Sequence, residues 1–125
     1  MAVDHGGIDV PMTTTAAVTQ YYFVKGSGST GKTVAVTALA TDVVLGIAQE
    51  AATASGDTIA VRITGTSKLK LGGTVNCGEG VISHTNGTGI TAAYASDEKP
   101  GAIALEYGVA GDIIEVVLRP VTQCN

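Results

Sequence analysis

The sequence predicts an all-β fold, a small β-barrel or β-sandwich-like module of short strands preceded by an extended N-terminal arm. Three observations carry this. Apolar and polar residues alternate over residues 58–64, with Ile59, Val61 and Ile63 on one face and Ala60, Arg62 and Thr64 on the other. That period of two belongs to a strand with one buried face. Turn pairs punctuate the chain at Gly56-Asp57, Gly72-Gly73, Asn86-Gly87 and Gly111-Asp112, and short strands at such spacing suit a barrel or sandwich. No long stretch carries the i, i+3, i+4 apolar pattern of an amphipathic helix.

Residues 1–17 stand apart. Gly6-Gly7, Pro11 and the run Thr13-Thr14-Thr15-Ala16-Ala17 interrupt any sustained period. We read them as an extended arm, with a β-domain over residues 18–125. Val3, Ile8, Val10 and Met12 are its candidate partner-binding residues. Their spacing suits addition of a strand to the sheet edge of another subunit.

The remaining elements follow in order. Residues 18–24 are rich in β-branched and aromatic side chains and include Tyr21, Tyr22 and Phe23. A loop spans residues 26–31, and residues 33–39 alternate again. A short helix is expected around residues 49–54, where Ala and Glu run into Ser55-Gly56. Strands are expected at 58–64, 68–71, 80–83, 90–94, 102–107 and 113–118. All but 68–71 contain Val, Ile, Thr or Tyr, which suit a pleated surface, and 68–71 alternates Lys with Leu.

Composition limits the core and the partners. Hydrophobic residues make up 45% of the 125, yet there is one Phe and no Trp. Burial must come from aliphatic side chains, each giving about 1.5–3 kcal/mol, so self-association is expected to add to it. Seven Lys and Arg are scattered, and the net charge is -4. The absence of a basic stripe argues against a nucleic-acid or anionic-membrane partner. No apolar run approaches the length of a membrane span. The N-terminal residues lack a secretory pattern, so synthesis and use in a cytoplasm are expected. Cys77 and Cys124 lack metal-type spacing. Two free thiols are the first reading, and a disulfide between them is the alternative.

One motif resembles catalytic machinery. Gly26-Ser27-Gly28-Ser29-Thr30-Gly31-Lys32-Thr33 fits G-x-x-x-x-G-K-[ST] at every position. A P-loop must open a helix, whose N-terminal amides and dipole hold phosphate. Here Thr33-Val34-Ala35-Val36-Thr37 follows, alternating and β-branched. We therefore read Gly26, Gly31, Lys32 and Thr33 as a hairpin loop without a nucleotide. His5 and His84 lie far apart, and no nucleophile–base pair or metal set stands out. The sequence predicts no enzyme, no cofactor and no metal.

An internal repeat is visible. Gly46-Ile47-Ala48-Gln49-Glu50-Ala51 precedes Gly56-Asp57 and the strand at 58–64. Ala102-Ile103-Ala104-Leu105-Glu106-Tyr107 precedes Gly111-Asp112 and the strand at 113–119. The spacers differ by one residue, which a turn absorbs. Such hairpins suggest a barrel with approximate two-fold symmetry.

Residues 44–118 resemble the tailed-phage head decoration, or capsid cement, proteins that share the lambda-type decoration fold. The likeness rests on Gly46-Ile47-Ala48 with Gly56-Asp57, on Gly65 ending the next strand, and on Gly101-Ala102-Ile103-Ala104-Leu105-Glu106 with Gly111-Asp112. The resemblance implies a β-tulip type module that forms a homotrimer on the outer capsid surface of a virion. It also implies an N-terminal arm ordered against the major capsid protein. The Gly- and Thr-rich arm and the long loop at residues 26–31 depart from the family pattern. A different β-rich binding or adhesion module, such as a phage tail or fibre accessory, is the alternative.

Overall fold

The computed structural model describes residues 7–27, 31–38, 42–92 and 100–118. Among these residues nine strands form one sheet: β1 Gly7–Thr14, β2 Phe23–Gly26, β3 Thr33–Val36, β4 Gly46–Ala48, β5 Thr58–Lys70, β6 Gly80–Ser83, β7 Gly89–Thr91, β8 Ala102–Ala104 and β9 Ile113–Leu118. No helix occurs among the described residues. The all-β expectation therefore holds.

Hydrogen-bonded neighbours run β1-β3-β2-β4-β5-β9-β8-β6-β7, and β1 also pairs with β5. The first five strands thus close a ring of pairings. The last four make a second circuit with the C-terminal part of β5, joined beyond its end by a parallel bridge from Leu71 to Gly89. The 13-residue β5 belongs to both. Its first part pairs with β1, from Thr58 opposite Thr13 to Gly65 opposite Gly7. Its second part pairs with β9, from Gly65 opposite Leu118 to Lys70 opposite Ile113.

The two rings are copies of one plan. Thr14 N–H donates to Asp57 O at 2.8 Å, and Leu71 N–H donates to Asp112 O at 2.8 Å. Val18 and Ala52 exchange two backbone bonds, as do Val75 and Gly108. Tyr21 N–H donates to Ala48 O, and Gly78 N–H donates to Ala104 O, both at 2.8 Å. Thr14 lies parallel to Val34 in β1–β3, as Leu71 lies parallel to Gly89. The repeat read from residues 46–64 and 102–119 is therefore the C-terminal part of a longer unit, which begins with β1 in one copy and with the second part of β5 in the other.

Alternation places the cores. Met12, Val18, Val24, Val34, Ile59 and Val61 pack inside the first ring. Leu69, Leu71, Val75, Val81, Ile114 and Val116 fill the second. Phe23, Val44 and Ile47 come from first-copy elements but pack in the second cluster, so the two cores meet around the only Phe. Gly87 tightens this seam. Its φ is +87°, its carbonyl accepts from Phe23 N–H at 2.8 Å, and a Cβ there would lie 2.3 Å from Val36 Cγ1. No larger residue fits at this turn.

Several expectations differ from the structure. The segment read as an arm contains β1, which forms seven register pairs with β5 of its own chain. Periodicity missed it because Pro11 and the threonines leave an outer face with little apolar content. A strand can be held by its backbone ladder when only one or two side chains reach the core. Gly65 does not end its strand: with φ +93° it sits in the continuous β5 where the strand passes between rings. The helix expected at residues 49–54 is a turn with Ala52 bridged to Val18. Helix-forming residues there are overridden by this tertiary pairing. β2 begins only at Phe23, because Tyr21, at φ +67°, turns the chain first.

Candidate functional site

The candidate residues of the N-terminal segment divide. Val3 lies outside the described residues. Ile8 is 56% exposed, Val10 is half-buried, and Met12 packs against the first core. Ile8 is the one described member of the set that is free to meet another surface; Met12 is used by the fold. Asp9 anchors the segment, its two carboxylate oxygens accepting from Arg62 Nε at 2.6 Å and Nη2 at 3.1 Å. Arg62 Nη1 also donates to Thr66 O at 2.9 Å.

The P-loop lookalike joins β2 to β3, which are antiparallel, with Gly26 opposite Val34. Ser27 N–H donates to Thr33 O at 2.9 Å, and Thr33 Oγ1 donates back to Ser27 O. Gly31 has φ +63°, Lys32 is exposed, and Thr33 opens a strand. The Thr hydroxyl that would hold magnesium in a P-loop is bonded to the hairpin's own backbone. The helix N-terminus that supplies phosphate-binding amides is replaced by β3.

The other titratable groups are dispersed. His84 is half-buried beside its turn, with Nδ1 3.1 Å from Thr85 Oγ1. Cys77 is an exposed free thiol whose Sγ contacts Leu105 O at 3.3 Å. His5 and Cys124 lie outside the described residues, so the alternative Cys77–Cys124 disulfide does too. Glu79 accepts from Thr91 Oγ1 and from Asn76 N–H. These bonds, that from Thr91 foremost, hold its carboxyl below the usual carboxylate range. No group of three or more His, Cys, Asp or Glu gathers among the described residues.

The feature that sequence reading missed is an apolar surface on the hairpin between β8 and β9. Leu105, Tyr107, Val109 and Ile113 are 43%, 60%, 40% and 48% exposed. Backbone and carboxylate bonds brace the hairpin. Glu106 Oε2 accepts from Glu115 N–H at 3.0 Å, and Asp112 Oδ2 accepts from Val109 N–H at 3.0 Å. In the first copy Glu50 Oε1 accepts from Ala60 N–H at 2.9 Å, and Asp57 Oδ2 accepts from Thr53 N–H at 3.1 Å. The corresponding positions there are Gln49, which is half-buried, and the exposed Ala51, Thr53 and Thr58. Setting the two repeat copies side by side in the sequence exposes this contrast.

No protein-family model matches the chain, and no curated protein does. Among solved structures, the chain is similar to the crystal structure of the head fiber gp8.5 N base of bacteriophage phi29. The two share 14% identity with a TM-score of 0.72, covering 91% of this chain and 95% of that one. At this identity the likeness shows a shared fold.

Proposed function

We propose that the chain is a structural protein of a phage head: a decoration or cement module that binds the outer surface of the shell as a homotrimer and stabilises it. The observation that carries this reading is the fold held in common, over nearly the whole of both chains, with a base domain named for a phage head fibre. The decoration-family resemblance of residues 44–118 points the same way, and an aliphatic core with few aromatics favours burial between subunits. The major capsid protein is the expected partner, and the virion exterior, after synthesis in the host cytoplasm, the expected location. The reading is non-enzymatic. Lys32→Ala should change stability by no more than about 0.5 kcal/mol, and ATP with magnesium should not raise the melting temperature.

The test mixes purified protein with heads of the source phage that lack it, then pellets the particles. Saturable co-sedimentation, with heads that better survive heat, is the expected result. Absence of binding to heads overturns it. Sedimentation of the free protein tests the trimer separately. The name of the similar structure favours a second reading, in which the module is the foot of a longer fibre. Electron micrographs of decorated heads separate a shell-wide lattice from isolated projections.

A further inference from the structure

We infer that the β8–β9 hairpin, through Leu105, Tyr107, Val109 and Ile113, is the surface that docks on the phage shell, in an apolar socket bordered by basic side chains. This rests on the head-associated reading above. The first argument is the internal duplication. The same backbone, the same carboxylate bonds and the same bridge are built in the first copy with Ala51, Thr53 and Thr58 exposed and with a half-buried Gln49, whose Nε2 donates to Ser67 Oγ at 2.8 Å. The fold therefore does not require apolar groups at these positions. Exposed apolar side chains with no structural duty mark contact surfaces when they gather, and four gather within this one hairpin.

Area and charge select the occupant. Four side chains of these sizes, about half exposed, present on the order of 400 Å². Each partner in a stable isolated pair buries roughly 800 Å². The hairpin alone is too small to hold two free copies together. It suits a contact repeated many times on a lattice, where linked sites multiply weak affinities. Glu106 and Asp112 are exposed on the same hairpin, each fixed by a backbone amide. A second copy of this hairpin would bring like charges together, whereas a basic rim would complement them.

The experiment gives the second hairpin the corresponding residues of the first in the full chain: Leu105→Gln, Tyr107→Ala, Val109→Thr and Ile113→Thr. Binding to undecorated heads is measured by pelleting, with circular dichroism and sedimentation velocity on the free protein. The expected result is a native spectrum, unchanged sedimentation and at least tenfold weaker binding. Glu106→Gln keeps an oxygen for the Glu115 amide and should flatten the salt dependence of binding. Should the fourfold variant fail to fold, Tyr107→Ala alone carries the test, with an expected loss of severalfold. Wild-type protein that binds heads while the folded variant binds within twofold overturns the docking surface and leaves the head reading standing. Wild-type protein that ignores heads overturns both. A change in oligomeric state in the variant identifies a second copy as the occupant and overturns the inference.

Discussion

The first ring begins with β1, a strand far in sequence from the β5 segment it pairs with, and the second begins with the latter part of β5, which continues directly from the part that serves the first ring. The positions correspond, since Thr13 faces Thr58 as Lys70 faces Ile113. One register is held by a covalent chain on both sides. The other is closed by the ladder, the Asp9–Arg62 ion pair and a little side-chain burial. The outer surfaces diverge in the opposite sense: the first copy has a polar hairpin and the second an apolar one. Both copies thus keep the backbone bonds, the turns and an aliphatic core, while each varies what it attaches to the frame.

The largest expected effect comes from removing β1. Deleting residues 2–17 strips the ladder from one side of β5 and uncovers Val34, Ile59 and Val61. We expect loss of most of the roughly 5–15 kcal/mol that holds a domain together. Circular dichroism should show unfolding of at least the first ring. A deletion variant with native melting behaviour would show that β1 is an accessory to its ring.

Phe23→Ala comes next. Phe23 is fully buried and corresponds in the strand plan to Gly80, with which it shares the start of a strand. Truncating a buried Phe costs about 3–5 kcal/mol. Because its side chain serves the second core while its strand serves the first, denaturant unfolding should remain one transition at a lower midpoint. Two separated transitions would mean that the halves are independent.

Tyr21 and Gly78 sharpen the comparison at one backbone position, with φ of +67° and +88°. Gly78→Ala places a Cβ in left-handed conformation and should cost about 1 kcal/mol. Tyr21→Gly relieves that strain but loses side-chain contacts and gains chain entropy, so the net change should stay within about 0.5 kcal/mol. Urea titration of both variants decides whether the copies tolerate the turn equally.

The smallest effect is electrostatic and confined to the second copy. Glu79 has a lowered folded pKa, and Tyr22 stands at the matching place in the first. The stabilisation is present above the unfolded carboxylate's pKa and is lost as pH falls through the folded value. Melting temperature should drop slightly on acidification below about 4.5, and Thr91→Val should reduce that drop.

Much of the frame was legible because strands and turns leave local signals. The alternation at Ile59, Val61 and Ile63 and the Gly-Asp turns located the first part of β5, β9 and both hairpins, but the strand was read as two, at 58–64 and 68–71, where β5 is continuous. The N-terminal strand was not legible, since its pairing depends on residues some fifty positions away and few of its side chains are buried. The duplication was visible only where its turns repeat chemically. In β2 and β6, Phe23-Val24-Lys25-Gly26 and Gly80-Val81-Ile82-Ser83 share one plan with almost no shared residues. Of the candidate contacts, Ile8 was singled out by spacing and is exposed. The 105–113 hairpin was hidden because a lone hydrophobic in a strand pattern reads as core until its orientation is known.

β5 also has a mechanical meaning. At about 3.3 Å per residue its 13 residues make a tie of roughly 40 Å. A tug on one ring reaches the other along covalent bonds, without first prying apart a packed interface. Its neighbours β1 and β9 lie alongside, so tension along β5 loads many hydrogen bonds together in shear. A load applied to either of the two linked rings would pass to the other through this spine.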